Sequence, residues 1–394
     1  METDLSSDQE FFQETTRKFL EAESPTSELR DMRDDPVGFR AAYWSQACEL
    51  GWTSLLVSEE AGGGSISGSG VVDLTLVAHE IGRHAAPGPL LATNVVASAL
   101  SAGANTDEQR EVLAGIIAGD VIASWAWAGK RPDDALGAFG VTATASGTGW
   151  TLAGEARPVE AGAQAQWFLV TALSDGGPIQ FLVPAGADGV AVKALDGIDL
   201  TRRYASVAFD DVSVDASAVV GDAATAADAI ERQLQLALTI QTAETVGTMD
   251  RALEITIEWA FDRYSFGRPL ASYQELKHRF ADMKTWLEAS HAIATDAARA
   301  VQDESPSAEK LVSVAASYVG EQSVALIQDC VQMHGGIGVT FDHDMHLYLR
   351  RAAQNRVLYG DPSEHRLRIT ALLERDESDT NDAGTGDSAP GEAA

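Results

Sequence analysis

A single carboxylate, Glu244, stands inside the otherwise uncharged stretch QLQLALTIQTAETVGTM between Arg232 and Asp250. A helix uncharged all round is normally buried on most faces. A lone carboxylate there resists ionisation unless a cation partners it. An acid with a raised pKa in a cleft suits a general base near neutral pH. The same residue could equally pair with a structural arginine or cap a neighbouring segment. Both readings stand open on the residues alone.

Two further segments carry chemistry. In DRYSFGRPLASYQELKHRFADMK, Arg263 and Arg268 flank a turn marked by Gly267 and Pro269. Two guanidiniums beside a glycine turn suit a pyrophosphate; helix C-capping and dipole compensation are the alternative. In QDCVQMHGGIGVTFDHDMHLYLRR, Gly335, Gly336 and Gly338 permit close backbone approach to a ligand or a sharp turn. His334, His343 and His346 raise the question of a metal. Arg350 and Arg351 follow directly and no thiolate cluster is present, so hydrogen-bonding histidines are expected and no metal site is.

The elements that must position these residues fall in three blocks. Residues 1–117 read as a helical N-terminal domain. Phe11, Phe12, Thr15, Phe19 and Leu20 recur at helical spacing, and Thr106 is a cap for the helix opening at Asp107. The glycine-rich SEEAGGGSISGSG lacks a strand–GxGxxG–helix order, so a flexible connection is expected. Residues 118–222 form short alternating or apolar runs separated by Gly, Pro and Asp. That texture predicts an antiparallel β-barrel or sandwich, with hairpins at TGW and SDGG. Residues 223–375 return to helical periodicity and predict a four-helix bundle. The acidic tail 376–394, without Lys or Arg, is expected to be disordered. The fold class is therefore α+β multidomain.

Composition excludes other classes. The formal net charge is −31, from 28 basic and 59 acidic residues. That field repels phosphate backbones, so nucleic acid is not an expected partner. The longest uncharged run, His84 to Thr106, is broken by Pro87, Gly88, Pro89 and Asn94, which argues against a membrane span. Two distant cysteines, Cys48 and Cys330, and no signal-peptide pattern point to a reducing cytoplasm.

The segments DRYSFGRPLASYQELKHRFADM, QMHGGIGVTFDHDMHLYLRRA, LDGIDLTRRYASVAFDDVSV and CELGWTSLLVSEEAGGGS, in this chain's order, resemble the acyl-CoA dehydrogenase family across about residues 5–372. The likeness is to the actinobacterial branch that works on steroid side chains and other bulky acyl-CoA esters, often as heteromers. It implies FAD, an acyl-CoA substrate, α,β-dehydrogenation to the 2-enoyl-CoA, electron transfer to electron-transferring flavoprotein, and an oligomer. Carried onto this chain, it implies that Arg263, Phe266 and Gln274 contact the FAD of a neighbouring subunit. Gln332, His334, Gly335 and Gly336 would lie along its pyrophosphate and adenosine part.

The chain departs from the family pattern where the chemistry occurs. Many members carry their base in Tyr-Glu-Gly-Thr, whereas here Gly360, Asp361 and Pro362 follow Tyr359. Another branch places its base on the long helix, at a position held here by Ala237. Glu244 lies two helical turns further on, about 10 Å along nearly the same face. Glu244 is therefore the expected base, with Asp361 the second choice. Trp127 and Ala128 replace the family's Glu-Pro, and Pro158 and Glu160 replace the Trp and Thr that contact the flavin ring. These losses leave an alternative: a non-catalytic or half-site partner subunit of a heteromeric enzyme.

Overall fold

The computed structural model describes residues 5–128 and 138–384. The N-terminal block comprises α1 (Ser7–Glu23), α2 (Thr26–Leu29), α3 (Ala41–Glu49), α4 (Gly70–His84), α5 (Leu90–Gly103) and α6 (Asp107–Ala118). Ser6 starts α1 with a capping box closed by Gln9. Thr106 caps α6 as its sequence implies, and Gly119 ends it in the left-handed conformation. The glycine-rich loop before α4 is knit together rather than loose. The Asp73 carboxylate accepts from the backbone amides of Ile66 and Ser67 and from Gln9.

The strands are β1 (Ala123–Ala126), β2 (Val141–Ser146), β3 (Gly149–Glu160), β4 (Trp167–Ser174), β5 (Gly177–Pro184), β6 (Val190–Leu195) and β7 (Tyr204–Asp215). The TGW and SDGG hairpins join β2 to β3 and β4 to β5. The expected antiparallel barrel or sandwich is corrected to one mixed seven-stranded sheet, and no closed barrel is formed by the described strands. β5 takes one edge of β4 along its whole length, while β1 and then β2 run parallel to the other. The physical reason lies in β4 itself. Phe168 to Ala172 are all buried, and such a continuous apolar run belongs to a strand covered on both faces.

The C-terminal block contains α7 (Ala226–Asp262), the short hairpin β8 (Tyr264–Ser265) and β9 (Arg268–Pro269), α8 (Gln274–Gln302), α9 (Ala308–His334), α10 (Met345–Asn355) and α11 (Pro362–Gly384). α11 therefore runs on through part of the segment expected to be irregular; residues 385–394 lie outside the described residues. α7 is buried without interruption from Leu236 to Met249, as its uncharged sequence requires. It crosses α4 so closely that a Cβ on Gly82 would collide with the Glu244 carbonyl, and one on Gly247 with the His79 carbonyl. Among the described residues no helix is long and apolar enough to cross a membrane.

Candidate active site

The sheet, the α4–α7 crossing and α10 meet around Glu244, which is only 2% exposed. It is not unpartnered. Arg202, from the loop between β6 and β7, pairs with one carboxylate oxygen, and Arg351 of α10 donates to the other at 2.6 Å. Arg202 also pairs with Glu160 at the end of β3 and donates to the Gly88 carbonyl at 2.9 Å. Arg351 pairs with Asp199 and donates to the Ala86 carbonyl at 3.1 Å. Two guanidiniums thus hold three carboxylates in a dry junction of all three blocks. Burial raises the Glu160 pKa and Arg202 only partly offsets it, whereas at Asp199 the nearby Arg351 overcomes burial and holds the carboxyl low. Of the two readings left open for Glu244, pairing with structural arginines is the one the geometry shows: both of its oxygens serve them.

The second-choice acid is also engaged. Asp361 caps α11, accepting from the Ser363 and Glu364 amides at 2.7 and 2.9 Å, while Glu364 reaches back to the Asp361 amide. Just before it, Tyr359 adopts a positive φ of 58° and turns its ring onto Trp125 and Trp127. The two indoles stack at 4.7 Å. The i, i+2 spacing puts both on one face of the β1 strand line. Trp125 donates to the Thr171 hydroxyl at 2.9 Å. Aromatic carbon thus fills the space between β1 and the α10–α11 turn. Burial first, then Glu160, raises the Tyr359 pKa well above its ordinary value. Gly129 to Asp134 of the WAWAGKRPDD segment lie outside the described residues.

The turns expected to grip a cofactor sit together at the far end of α7. Phe266 and Gly267 both have positive φ, as the two-residue turn joining β8 to β9 requires, and Phe266 stands 97% exposed at its tip. The Arg263 guanidinium lies 5.8 Å over Trp259, whose other neighbour is His334, stacked at 5.2 Å. Arg268 lies over Tyr273 at 3.8 Å. Neither Arg263 nor Arg268 forms an ion pair among the described residues. Gln274, Gln332, Gly335 and Gly336 are exposed, and a Cβ on either glycine would meet nothing. His334 gives Nδ1 to the Cys330 carbonyl at 2.8 Å and leaves Nε2 without a partner. Unpaired guanidiniums, open backbone and an unsatisfied ring nitrogen fit a dinucleotide phosphate.

Sequence reasoning missed Arg202, Arg351 and the aromatic stack. The arginine doublets TRR and LRRA were the available signal in a chain so poor in cations. The WAW alternation was the signal for the stack.

Comparison with known proteins follows the same division. The N-terminal domain model of acyl-CoA dehydrogenases matches residues 6–120, and the C-terminal domain model matches 227–373. The acyl-CoA dehydrogenase IpdE2 of Mycolicibacterium smegmatis is 28% identical over 93% of this chain and 99% of that protein. The acyl-CoA dehydrogenase FadE27 of Mycobacterium tuberculosis is 30% identical over 84% of this chain and 87% of its own length. Among solved structures, the ChsE4-ChsE5 complex from Mycobacterium tuberculosis superposes with a TM-score of 0.85 at 28% identity, covering 95% of this chain and 99% of that one. A Tcur3481-Tcur3483 steroid ACAD variant gives 0.86 at 27%, covering 95% and 100%. With both terminal domains matched and relatives aligned over nearly their whole length, the chain belongs to the acyl-CoA dehydrogenase family.

Proposed function

We propose that this chain is one subunit of a FAD-dependent acyl-CoA dehydrogenase, and that a second, related chain completes its site. The reaction is α,β-dehydrogenation of a bulky acyl-CoA thioester, with the electrons passed to electron-transferring flavoprotein. One observation carries the two-chain reading: the turns expected to face the dinucleotide are open, while the space between β1 and the α10–α11 turn, beside the position of the family's usual base, is filled by aromatic rings. Arg263, Arg268, Phe266 and the Gly335–Gly336 backbone face outward, whereas Trp125, Trp127 and Tyr359 pack against one another.

FAD, when bound, supplies the acceptor for the β-hydrogen. The chain's part is to hold it. Guanidiniums at Arg263 and Arg268 neutralise phosphate charge, the glycines allow close backbone approach, and Phe266 offers an aromatic face. Gln274, Gln332 and His334 add polar contacts. Glu244 is assigned to the ion-pair junction, because each of its oxygens is held by an arginine and the residue is only 2% exposed. Removal of the α-proton then falls to the partner. The similar ChsE4-ChsE5 and Tcur3481-Tcur3483 structures are each named for two chains, which supports this arrangement.

A self-sufficient homomer is the second reading, favoured by Glu160. Its carboxyl is held above its ordinary pKa and lies near enough to Tyr359 to influence its titration. The discriminating assay is acyl-CoA-dependent dye reduction by the purified chain, alone and co-expressed with a related dehydrogenase chain. Turnover only in the co-expressed preparation supports the two-chain site; full turnover by the chain alone overturns it.

A further inference from the structure

On the face of the α4–α7 crossing lined by α1 and α8, a cavity of about 570 Å³ opens between helices. His79 of α4 and His291 of α8 line it, and both meet Asp250 of α7. Both histidines aim Nε2 at the same oxygen, Asp250 Oδ2, at 2.8 and 2.9 Å. Their side chains are 18%, 15% and 38% exposed, so the cluster is half-sheltered yet reachable from the cavity.

His79 Nδ1 is buried without a hydrogen-bond partner and lies 3.7 Å from Oε1 of the wholly buried Glu80. A metal ion held by Nε2 of His79 leaves the ring proton on Nδ1, toward Glu80, the usual carboxylate–histidine–metal order. Nitrogen–oxygen separations of 2.8 and 2.9 Å correspond to adjacent ligands about 90° apart at an ion with bonds of about 2.1 Å.

We propose that His79, Asp250 and His291 form a binding site for a first-row divalent transition-metal ion, with its open coordination positions facing the cavity. Two imidazoles and one carboxylate favour Zn²⁺, Fe²⁺ or Co²⁺ over Mg²⁺ or Ca²⁺. The ion would tie α4 of the N-terminal block to α7 and α8 of the bundle.

The test uses the full chain, chelator-treated and titrated with Co²⁺ and Zn²⁺. The proposal predicts one bound ion per chain lost in His291→Gln, a cobalt visible absorption band, and a melting temperature raised by Zn²⁺ in the wild type only. His291 is the most exposed ligand, so this variant folds; Asp250→Asn, which keeps the shape, should weaken binding at least about tenfold. Absence of stoichiometric binding overturns the proposal and leaves a hydrogen-bonded His–Asp–His cluster only. Binding that survives both substitutions overturns it too, because the ion would then lie elsewhere.

Discussion

Trp127 and Tyr359 lie face to face, with ring centroids 5.8 Å apart and planes 16° from parallel. Trp125 completes the stack, and together the three rings bring β1 and the α10–α11 turn into one apolar block. Rings stacked in this way offer packing between the two elements. Trp127→Ala should lower stability by about 3–5 kcal/mol, the usual cost of deleting a buried aromatic. Thermal melting checks this. No acyl-CoA-dependent dye reduction should appear in the isolated variant; its appearance would mean that the stack merely blocks a competent site.

Removing the charge of Glu244 should behave as a structural lesion. In Glu244→Gln the shape is kept, but Arg202 and Arg351 lose their shared counter-charge in a dry site, which costs about 3–5 kcal/mol. The melting temperature should fall, while turnover per bound flavin in the assembled enzyme stays within about twofold of wild type. A loss of turnover by orders of magnitude, with flavin content and melting preserved, would restore Glu244 as the base.

Arg263 should show the opposite signature. It is exposed and unpaired by carboxylates among the described residues, so Arg263→Ala should leave melting unchanged. If it contacts a phosphate, the lost charge-assisted hydrogen bonds weaken FAD about 10- to 100-fold. Fluorescence titration of FAD into the assembled apoenzyme measures this. Unchanged affinity would remove the β8–β9 turn from the cofactor site.

The segment that replaces the family's usual base also sets an acid limit. His365, wholly buried just beyond Asp361, is pushed down to about 4 by burial and then by Arg368. The sign follows from linkage. Between the ordinary value near 6.5 and about 4, the unfolded chain binds this proton and the folded chain does not. Stability is therefore full above about 6.5 and declines by up to about 3 kcal/mol as pH falls to 4. His79 works in the reverse direction, because its raised pKa adds stability below its ordinary value and withdraws it as pH rises. Comparing wild type with His365→Gln isolates the first effect: melting of the variant should fall less steeply between pH 6.5 and 4.

Local signals in the sequence carried much of the architecture. The helix–sheet–helix order, the Thr106 cap, both hairpins and the burial of α7 follow from periodicity and turn chemistry that act over a few residues. The parallel neighbours of β4 did not follow, because strand pairing across the sheet is not a local property; the unbroken apolar run of β4 was the available hint. The same limit governs the site. Glu244 was conspicuous as a lone acid, but its partners lie 42 and 107 residues away in sequence. A reading of α7 alone sees an unpaired charge, whereas the folded chain brings two arginines to it from a loop and from α10. Likewise Tyr359 meets Trp127 only through the packing of the C-terminal bundle against β1. The open turns at Arg263 and Gly335 were easier to recognise, since the special conformations they need depend on residues adjacent in sequence.

On the proposed two-chain site, this chain grips FAD across a seam with a second chain and does not hold it by itself. Flavin content measures that directly: absorbance near 450 nm per mole of chain, for the protein purified alone and for the complex with its co-expressed relative. The isolated chain should be colourless and the complex yellow. A yellow isolated chain carrying one FAD per subunit would contradict the proposal.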